Sequence, residues 1–538
     1  MDQRRLLLAV LLSLAVAFVW NEIVVKPRQK AMETASSPST TAPPAAEDRP
    51  AAPAAPAPTP AITTAAAESK LSFDIGTAPP IVVETDRWIA KVTPQGGRLA
   101  SLSLKGFRQS VEADSPPLEL VAGGPVLPLT LDFEAAGSDA SVVYQPSTPS
   151  LRLADAATGD VVLTGRTAGG LEIQKTLRFL GNSYLVDVDV SVSGSTVPPA
   201  VSLVMPQPEQ KGFQGTGSAH EVAVVLSGTK LTETPIDPAK INELKVERKP
   251  DAVWGGFSVP FFLAAVIAPT DPLGTVAVEP VGSRPIVAMR RPLEGGKTSF
   301  KLFIGPKSKE ILADANFQLS RTLDFGWFWF IAIPMLYALR LLHRVTGNYG
   351  IDIILLTALV RAATIPLTQK SFRSMKEMQK LQPQLKRIQE QYKDDQTRLQ
   401  KEMMDLYKRH GVNPFSGCAP MLLQIPIFVG LYNALMHAIE LRHAPFALWI
   451  TDLSAPERWV VAGLPIPVLT ILMGGTMIVQ QWLTPQQGDP TQRQMMMIMP
   501  VVFTFMFLNF PSGLVLYWLV SNVLGIAQQY VILRGPAT

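Results

Sequence analysis

Gly350-Ile351-Asp352-Ile353-Ile354-Leu355-Leu356-Thr357-Ala358-Leu359-Val360-Arg361-Ala362-Ala363-Thr364-Ile365-Pro366-Leu367 is an apolar run of membrane-spanning length with an arginine just past its centre. A hydrocarbon layer of ~30 Å takes about 20 helical residues. An arginine at that depth costs roughly 2.5 to 3.5 kcal/mol on insertion scales, so water or a partner must offset it. Helical spacing puts Thr357, Thr364 and Thr368 on the face of Arg361, a polar stripe that lipid would not tolerate. Asp352 is the nearest carboxylate in the chain. Nine residues make two and a half turns, which leaves it on the opposite face and ~13 Å away. No other span carries a deep Asp or Glu. An arginine without a carboxylate implies a water-filled cavity. The bland alternative, snorkelling to the cytoplasmic headgroups, leaves the threonines unexplained.

Outward from this run, the chain is 47% hydrophobic and only 17% charged, against about 25% in a typical soluble protein. The excess lies mostly after Trp327. Five spans can be drawn there, over 350–367, 417–436, 463–483, 495–510 and 513–533. At the other end, Arg4 and Arg5 precede an apolar run from Leu6 to Val25, which places its start in the cytoplasm. Two readings stand: a signal cleaved after Ala15-Val16-Ala17, or an uncleaved anchor over 1–25. With the anchor there are six spans and both termini are cytoplasmic. Loop charge tests this arrangement independently. The segment Lys370 to Arg409 carries eleven Lys and Arg, whereas Ala438 to Ala462 carries only Arg442 and Arg458. The basic loop belongs inside.

The fold class is therefore mixed: an α-helical polytopic membrane domain plus an all-β periplasmic sandwich. Residues 26–70 are an Ala/Pro-rich linker that cannot bury a core. Residues 71–320 read as short strands broken by Gly and Pro, the clearest being Tyr184 to Ser193, where Val186, Val188, Val190 and Val192 alternate with Asp187, Asp189 and Ser191. A short helix fits Pro238 to Leu244. Residues 321–348 mix Trp327, Phe328, Trp329 and Phe330 with Arg340, His343 and Arg344, as an interfacial helix would. Residues 349–534 hold the five spans and a cytoplasmic helical hairpin over 371–410. The hairpin's stripes are Met378, Leu381, Leu385, Ile388 and Tyr392, then Leu399, Met403, Leu406 and His410, with Asp394-Asp395 at the turn.

Weaker polar stripes recur elsewhere. Tyr517, Ser521, Gly525 and Gln528 share a face of the last span, beside Trp518 and Asn522; Gln424 marks the third span, and Gln480 and Gln481 end the fourth. Alone, each is an ordinary helix-helix contact; their recurrence beside Arg361 favours a shared cavity. Met495, Met496, Met497, Met499 and Met506 supply a flexible apolar surface suited to varied partners. Catalysis finds no footing. HExxH, GxSxG and P-loop motifs are absent, the five histidines lack ligand spacing, and glycine-rich 212–218 reads as a loop. Cys418 is the only cysteine, so neither an intrachain disulfide nor a cysteine metal cluster can form. No cofactor and no metal site is expected.

These segments resemble the YidC/Oxa/Alb insertase family, in its Gram-negative branch. The matching residues are Arg361 with Ile365-Pro366-Leu367-Thr368, Asn413-Pro414 with Gly417-Cys418, Gln424-Ile425-Pro426-Ile427-Phe428, Phe446-Ala447-Leu448-Trp449-Ile450, and Phe510-Pro511-Ser512-Gly513-Leu514-Val515-Leu516-Tyr517. The resemblance implies a membrane protein insertase and chaperone of the cell inner membrane, not an enzyme, working alone or with the Sec translocon. It also implies an uncleaved first span and a periplasmic β-supersandwich similar to sugar-binding folds. By the same resemblance, Arg361, Thr357, Thr364, Gln424, Tyr517 and Trp518 line a groove open to cytoplasm and lipid, and Ile425, Pro426, Phe428 and Val501 form a slide for the client's apolar segment. Implied partners are nascent and client membrane proteins, the translocon and membrane lipids. Ribosome contact, which some relatives make through a long basic tail, would here rest on the 371–410 hairpin. A small-anion transporter is the main rival, but such proteins usually carry internal repeats, and none is visible.

Overall fold

The computed structural model describes residues 78–534, except 113, 123, 125, 209–220, 394, 413–418, 462–463 and 484–489. The anchor and linker expected over 1–70, the 212–218 loop, Asp394 and the Asn413-Pro414 and Gly417-Cys418 motifs lie outside those residues.

From Ile81 to Pro306 the chain is built of strands. Alternation explains them. In the strand Leu185–Ser193, Val186, Val188, Val190 and Val192 are all buried, each worth about 1.5–3 kcal/mol of apolar burial. On its other face Asp187 lies opposite Lys301 and Asp189 opposite Ser299. Lys301 donates to Asp187, and the Ser299 hydroxyl donates to Asp189 at 2.6 Å, so cross-strand pairing fixes the polar face as well. This strand belongs to a thirteen-stranded sheet; a five-stranded sheet packs on it in the order Pro117–Ala122, Arg98–Arg108, Trp88–Thr93, Ile81–Glu84, Ser150–Arg152. Trp88 of the small sheet meets Phe179 of the large one edge to face, 5.6 Å between centroids. The two sheets share one apolar core, which makes the domain a sandwich. The segment Pro238–Glu243 is a kinked 3-10 helix.

One ion pair sits inside that sandwich. Lys175 and Asp139 have no exposed surface and lie 2.5 Å apart. The Lys175 ammonium also donates to the carbonyls of Gly96 (2.8 Å) and Leu129 (2.7 Å). Asp139 accepts from the Leu131 amide at 2.8 Å and the Tyr144 hydroxyl at 2.9 Å. Burial holds Lys175 below the usual lysine range and Tyr144 well above the usual tyrosine range.

Among the described residues nine α-helices follow: α1 (Lys309–Asp314), α2 (Trp329–Thr346), α3 (Tyr349–Lys380), α4 (Gln382–Gln391), α5 (Gln396–Arg409), α6 (Ala419–His437), α7 (Val468–Leu483), α8 (Pro490–Phe507) and α9 (Ser512–Arg534). Among the described residues two helical stretches, Tyr349–Lys380 (α3) and Ser512–Val531 of α9, are long and apolar enough to cross a membrane. Three more are shorter and apolar: Leu422–His437, Val468–Leu483 and Met497–Phe507. Helix α2 leaves Trp327, Trp329, Phe330, Leu341 and Val345 exposed at its start and along one side.

Two expectations change. The hairpin's first arm does not begin at 371, because α3 continues unbroken to Lys380; only α4 and α5 form the hairpin proper, packed through Leu381, Leu385 and Leu406. Residues 463–467 were expected to open the fourth span as helix. Instead Leu464–Ile466 pairs as a strand with Trp459–Val461, since Pro465 and Pro467 deny a helix its donors.

Arg340 of α2 ties the two halves together, bonding Glu310 of α1 at 2.6 Å and Glu440 at 2.7 Å. Beyond Glu440, Ile439 is buried in the β-domain core and Arg442 covers the Phe262 ring at 5.8 Å. The segment after α6 is thus on the β-domain side.

Candidate functional site

Helix α3 starts at a built cap. Gly347 turns the chain at φ 66, and the Asn348 side chain accepts from the Gly350 and Ile351 amides. Gly350 admits the Phe446 ring so closely that any Cβ there would collide with it. Asp352 is fully buried and receives His343 Nδ1 at 2.9 Å and the Thr346 hydroxyl. The carboxylate nearest to Arg361 in sequence is therefore committed elsewhere.

Two and a half turns on, Arg361 is partly exposed and donates through Nε to Ser521 Oγ of α9 at 3.0 Å. Among the described residues it has no carboxylate partner. A Cβ added at Gly525 would come within 3.3 Å of both the Arg361 Nη2 and Gln480 Nε2. Glycine there leaves the guanidinium room against α9. Further along α3, Gln528 donates to Thr368 Oγ1 at 2.7 Å.

Helix α9 uses its other sides as well. Gln424 of α6 donates to the Tyr517 hydroxyl at 2.8 Å. Asn522 donates to Thr476 of α7 at 3.1 Å, and Gln529 to the Leu483 carbonyl at 2.8 Å. One helix thus makes polar contacts with three neighbours. Helix α6 packs mainly on α2 and meets α3 and α9 sparingly.

The residues expected to line a groove differ in exposure and partners. Thr357 is fully buried and its hydroxyl returns to the Ile353 carbonyl at 2.6 Å. Thr364 is partly exposed and donates to its own helix at the Arg361 carbonyl. Tyr517 is 1% exposed, so it forms floor rather than surface. Trp518 turns away from Arg361 and packs edge-on against Phe428 (4.8 Å) and Phe507 (5.2 Å). One residue is a step of about 100° around a helix, enough to move Trp518 from the arginine side to the aromatic side. Phe428 shares that aromatic cluster, Pro426 is half-buried, and Ile425 and Val501 are exposed. Ser521 and Thr476 are partners that the sequence reading did not assign. Ser521 was visible one turn from Tyr517; Thr476 carried no signal until its helix was placed.

The start of α9 is tied to the segment that follows α6. Ser512 and Gly513 open α9, and their amides reach the Ala455 and Leu453 carbonyls at 2.8 and 3.0 Å. The Ser512 hydroxyl adds a bond to Asp452 O at 2.8 Å. These contacts satisfy donors that a helix start leaves orphaned. The Phe446–Ile450 turn closes on itself (Phe446 N to Ile450 O, 3.0 Å) and is held to α3 by Asn348 at 3.0 Å.

Together these features define a protein with a β-sandwich domain and a set of apolar helices joined by polar contacts around a partly exposed arginine. Residues 341–537 match the family described as 60Kd inner membrane protein, and residues 80–338 match the YidC periplasmic domain. Among curated relatives, the membrane protein insertase YidC of Syntrophus aciditrophicus is 37% identical, covering 98% of this chain and 99% of that one. That of Geobacter sulfurreducens is 38% identical over 85% and 86% of the two chains. Among solved structures, an active YidC insertase with its first transmembrane domain resolved is 20% identical and covers 86% of this chain and 94% of that one, with a TM-score of 0.37. The chain belongs to the YidC family of membrane protein insertases, inner-membrane proteins with a periplasmic domain.

Proposed function

We propose that this insertase receives the polar tail of a client in the cleft beside Arg361, and releases the client's apolar segment to lipid past Ile425, Pro426, Phe428 and Val501. The observation that carries the reading is the arginine itself: partly exposed, held by one serine hydroxyl, and without a carboxylate partner among the described residues. An acidic residue at the bilayer centre costs about 3 kcal/mol on insertion scales. A guanidinium with Nη donors to spare offsets part of that cost with charge-assisted hydrogen bonds. Gln424, Thr364 and Ser521 extend the polar wall, while Thr357 and Tyr517 support it from behind. No nucleotide motif is present, so partitioning of apolar segments supplies the free energy. The membrane potential, worth about 2.3 kcal/mol per charge per 100 mV, adds to it for acidic tails moving outward.

The topology proposed is six spans with both termini in the cytoplasm, supported by the basic Lys370–Arg409 segment opposite the charge-poor Ala438–Ala462 segment. Partners are client membrane proteins, the Sec translocon, membrane lipids and, through α4 and α5, the ribosome. The test is insertion of single-span clients with short acidic tails into vesicles carrying the purified chain. Arg361→Ala should lose about ten-fold and Arg361→Lys only about two- to three-fold, because lysine keeps the charge but not the planar fork. Equal insertion by both variants and the unaltered chain would remove the groove from the mechanism.

A further inference from the structure

Among the described residues, the antiparallel pair Trp459–Val461 and Leu464–Ile466 is left largely uncovered. Val460 is 64% and Leu464 67% exposed, and Trp459 and Val461 are exposed too. A two-stranded ribbon is marginal in water by itself, so something must hold it. Its base is held by the two residues before it. Glu457 accepts from the Val468 and Leu469 amides at 2.9 and 3.2 Å, placing an anion on the first turn of α7. Arg458 donates to the Leu508 carbonyl at 2.9 Å, placing a cation just past the end of α8. Both charges suit the helix dipoles they meet. Trp449 stacks on Trp459 at 5.0 Å and donates to Glu457 at 2.6 Å. Next to it Leu448 is 88% exposed at φ 56, a backbone region that costs a leucine about 1–3 kcal/mol. The ribbon is an exposed, apolar pair of strands.

We infer that this hairpin is a lipid-docking element, seated at the headgroup-acyl boundary of the membrane leaflet on the β-domain side. Two observations favour lipid over a protein partner. No Asp, Glu, Lys or Arg occurs from Trp459 to Gly488, a run that passes through the hairpin into α7 without a break. The segment after α6, from which the hairpin emerges, is fixed to the β domain by Ile439 and Glu440, which selects the leaflet. The depth follows from the backbone. An open sheet edge is not tolerated in hydrocarbon, and Pro465 and Pro467 remove only part of the unpaired donors, so the ribbon rests at the boundary.

The test places single cysteines at Val460 and Leu464 of the full chain carrying Cys418→Ser, labelled with an environment-sensitive fluorophore, in phosphatidylethanolamine and phosphatidylglycerol vesicles. Lipids brominated at shallow acyl positions should quench both probes about two-fold, deep bromines less, and a probe at exposed Lys245 not at all. A photoreactive residue at Leu464, with Cys418 retained, should give lipid adducts by mass spectrometry. Quenching no greater than at Lys245 would overturn the inference. So would a dry probe that bromine does not reach, or adducts to protein alone, since either would mean a protein covers the ribbon.

Discussion

A fully buried cation and a partly exposed one in this molecule are treated in opposite ways. Lys175, in the β-sandwich, spends its three N–H donors on Asp139, Gly96 and Leu129, and has no exposed surface. Arg361, among the helices, has five donors, one of them spent on Ser521, and keeps part of its surface open. A charge buried for structure is matched donor by donor, because each unmet one costs about 1–3 kcal/mol. On the proposed reading, a charge held ready for a client leaves donors unspent. The difference supports that reading of Arg361 without reference to any motif.

The contrast breaks first, and by most, at Lys175. Lys175→Ala strands Asp139 in an apolar core, and losing one partner of a buried pair costs about 3–5 kcal/mol. The melting transition of the β domain in the full-length protein should fall accordingly, and Lys175→Met with Asp139→Leu should recover much of the loss. If Lys175→Ala melts like the unaltered chain, the pair is not a structural pin.

Lys307 sharpens the comparison as an intermediate case. It is buried beside one hydroxyl partner, Ser258 Oγ at 3.0 Å, and burial pulls it from 10.5 down to about 8, with Glu233 only partly opposing. Between about pH 8 and 10.5 the unfolded chain holds this proton and the folded one does not. Stability from this group therefore rises with pH across that window and is flat below it. The gap is worth roughly 3 kcal/mol at about 1.4 kcal/mol per unit. Lys307→Met should gain about 1–3 kcal/mol at pH 7 in denaturant titrations and flatten the difference by pH 10.5. A Met variant no more stable at pH 7 would show that the charge is better solvated than its burial implies.

Arg361→Met should change stability by less than about 1 kcal/mol while lowering client insertion strongly, since no buried carboxylate is stranded. Melting and insertion measured on one preparation separate the two. A large loss of stability would make Arg361 a second Lys175.

How far this division could be read from the sequence depends on what each feature required. Arg361 was legible because an arginine in an apolar run is anomalous whatever surrounds it, and the Leu185–Ser193 strand because alternation is local. The Lys175–Asp139 pair was not, because Lys175 sits in an ordinary polar-apolar strand and its partners come from 36 to 79 residues away in sequence. The turning of Trp518 toward Phe428 was missed for a related reason: a stripe gives a helix a face, but which neighbour meets that face is decided by packing. The hairpin at Trp459 was hidden inside a hydropathy run, where Pro465 and Pro467 were the available warning.

The smallest effect expected is at the far end of the cleft. Gln528 and Thr368 join α9 to α3 by one bond of 2.7 Å between neutral side chains, and such bonds in membranes average about 0.6 kcal/mol. Gln528→Leu should therefore cost under about 1 kcal/mol and leave the fold intact. Its use as a probe lies in position, two turns from Ser521 on the same face of α9. If the cleft works as a unit, loosening this contact lets α3 and α9 separate on the side of α3 away from Asn348, where the tail would enter. Insertion of long polar tails should then improve slightly relative to short ones, although Arg361 is untouched. If instead both tail classes fall together, the contact merely holds the helices, and the specificity of the cleft resides at Arg361 alone.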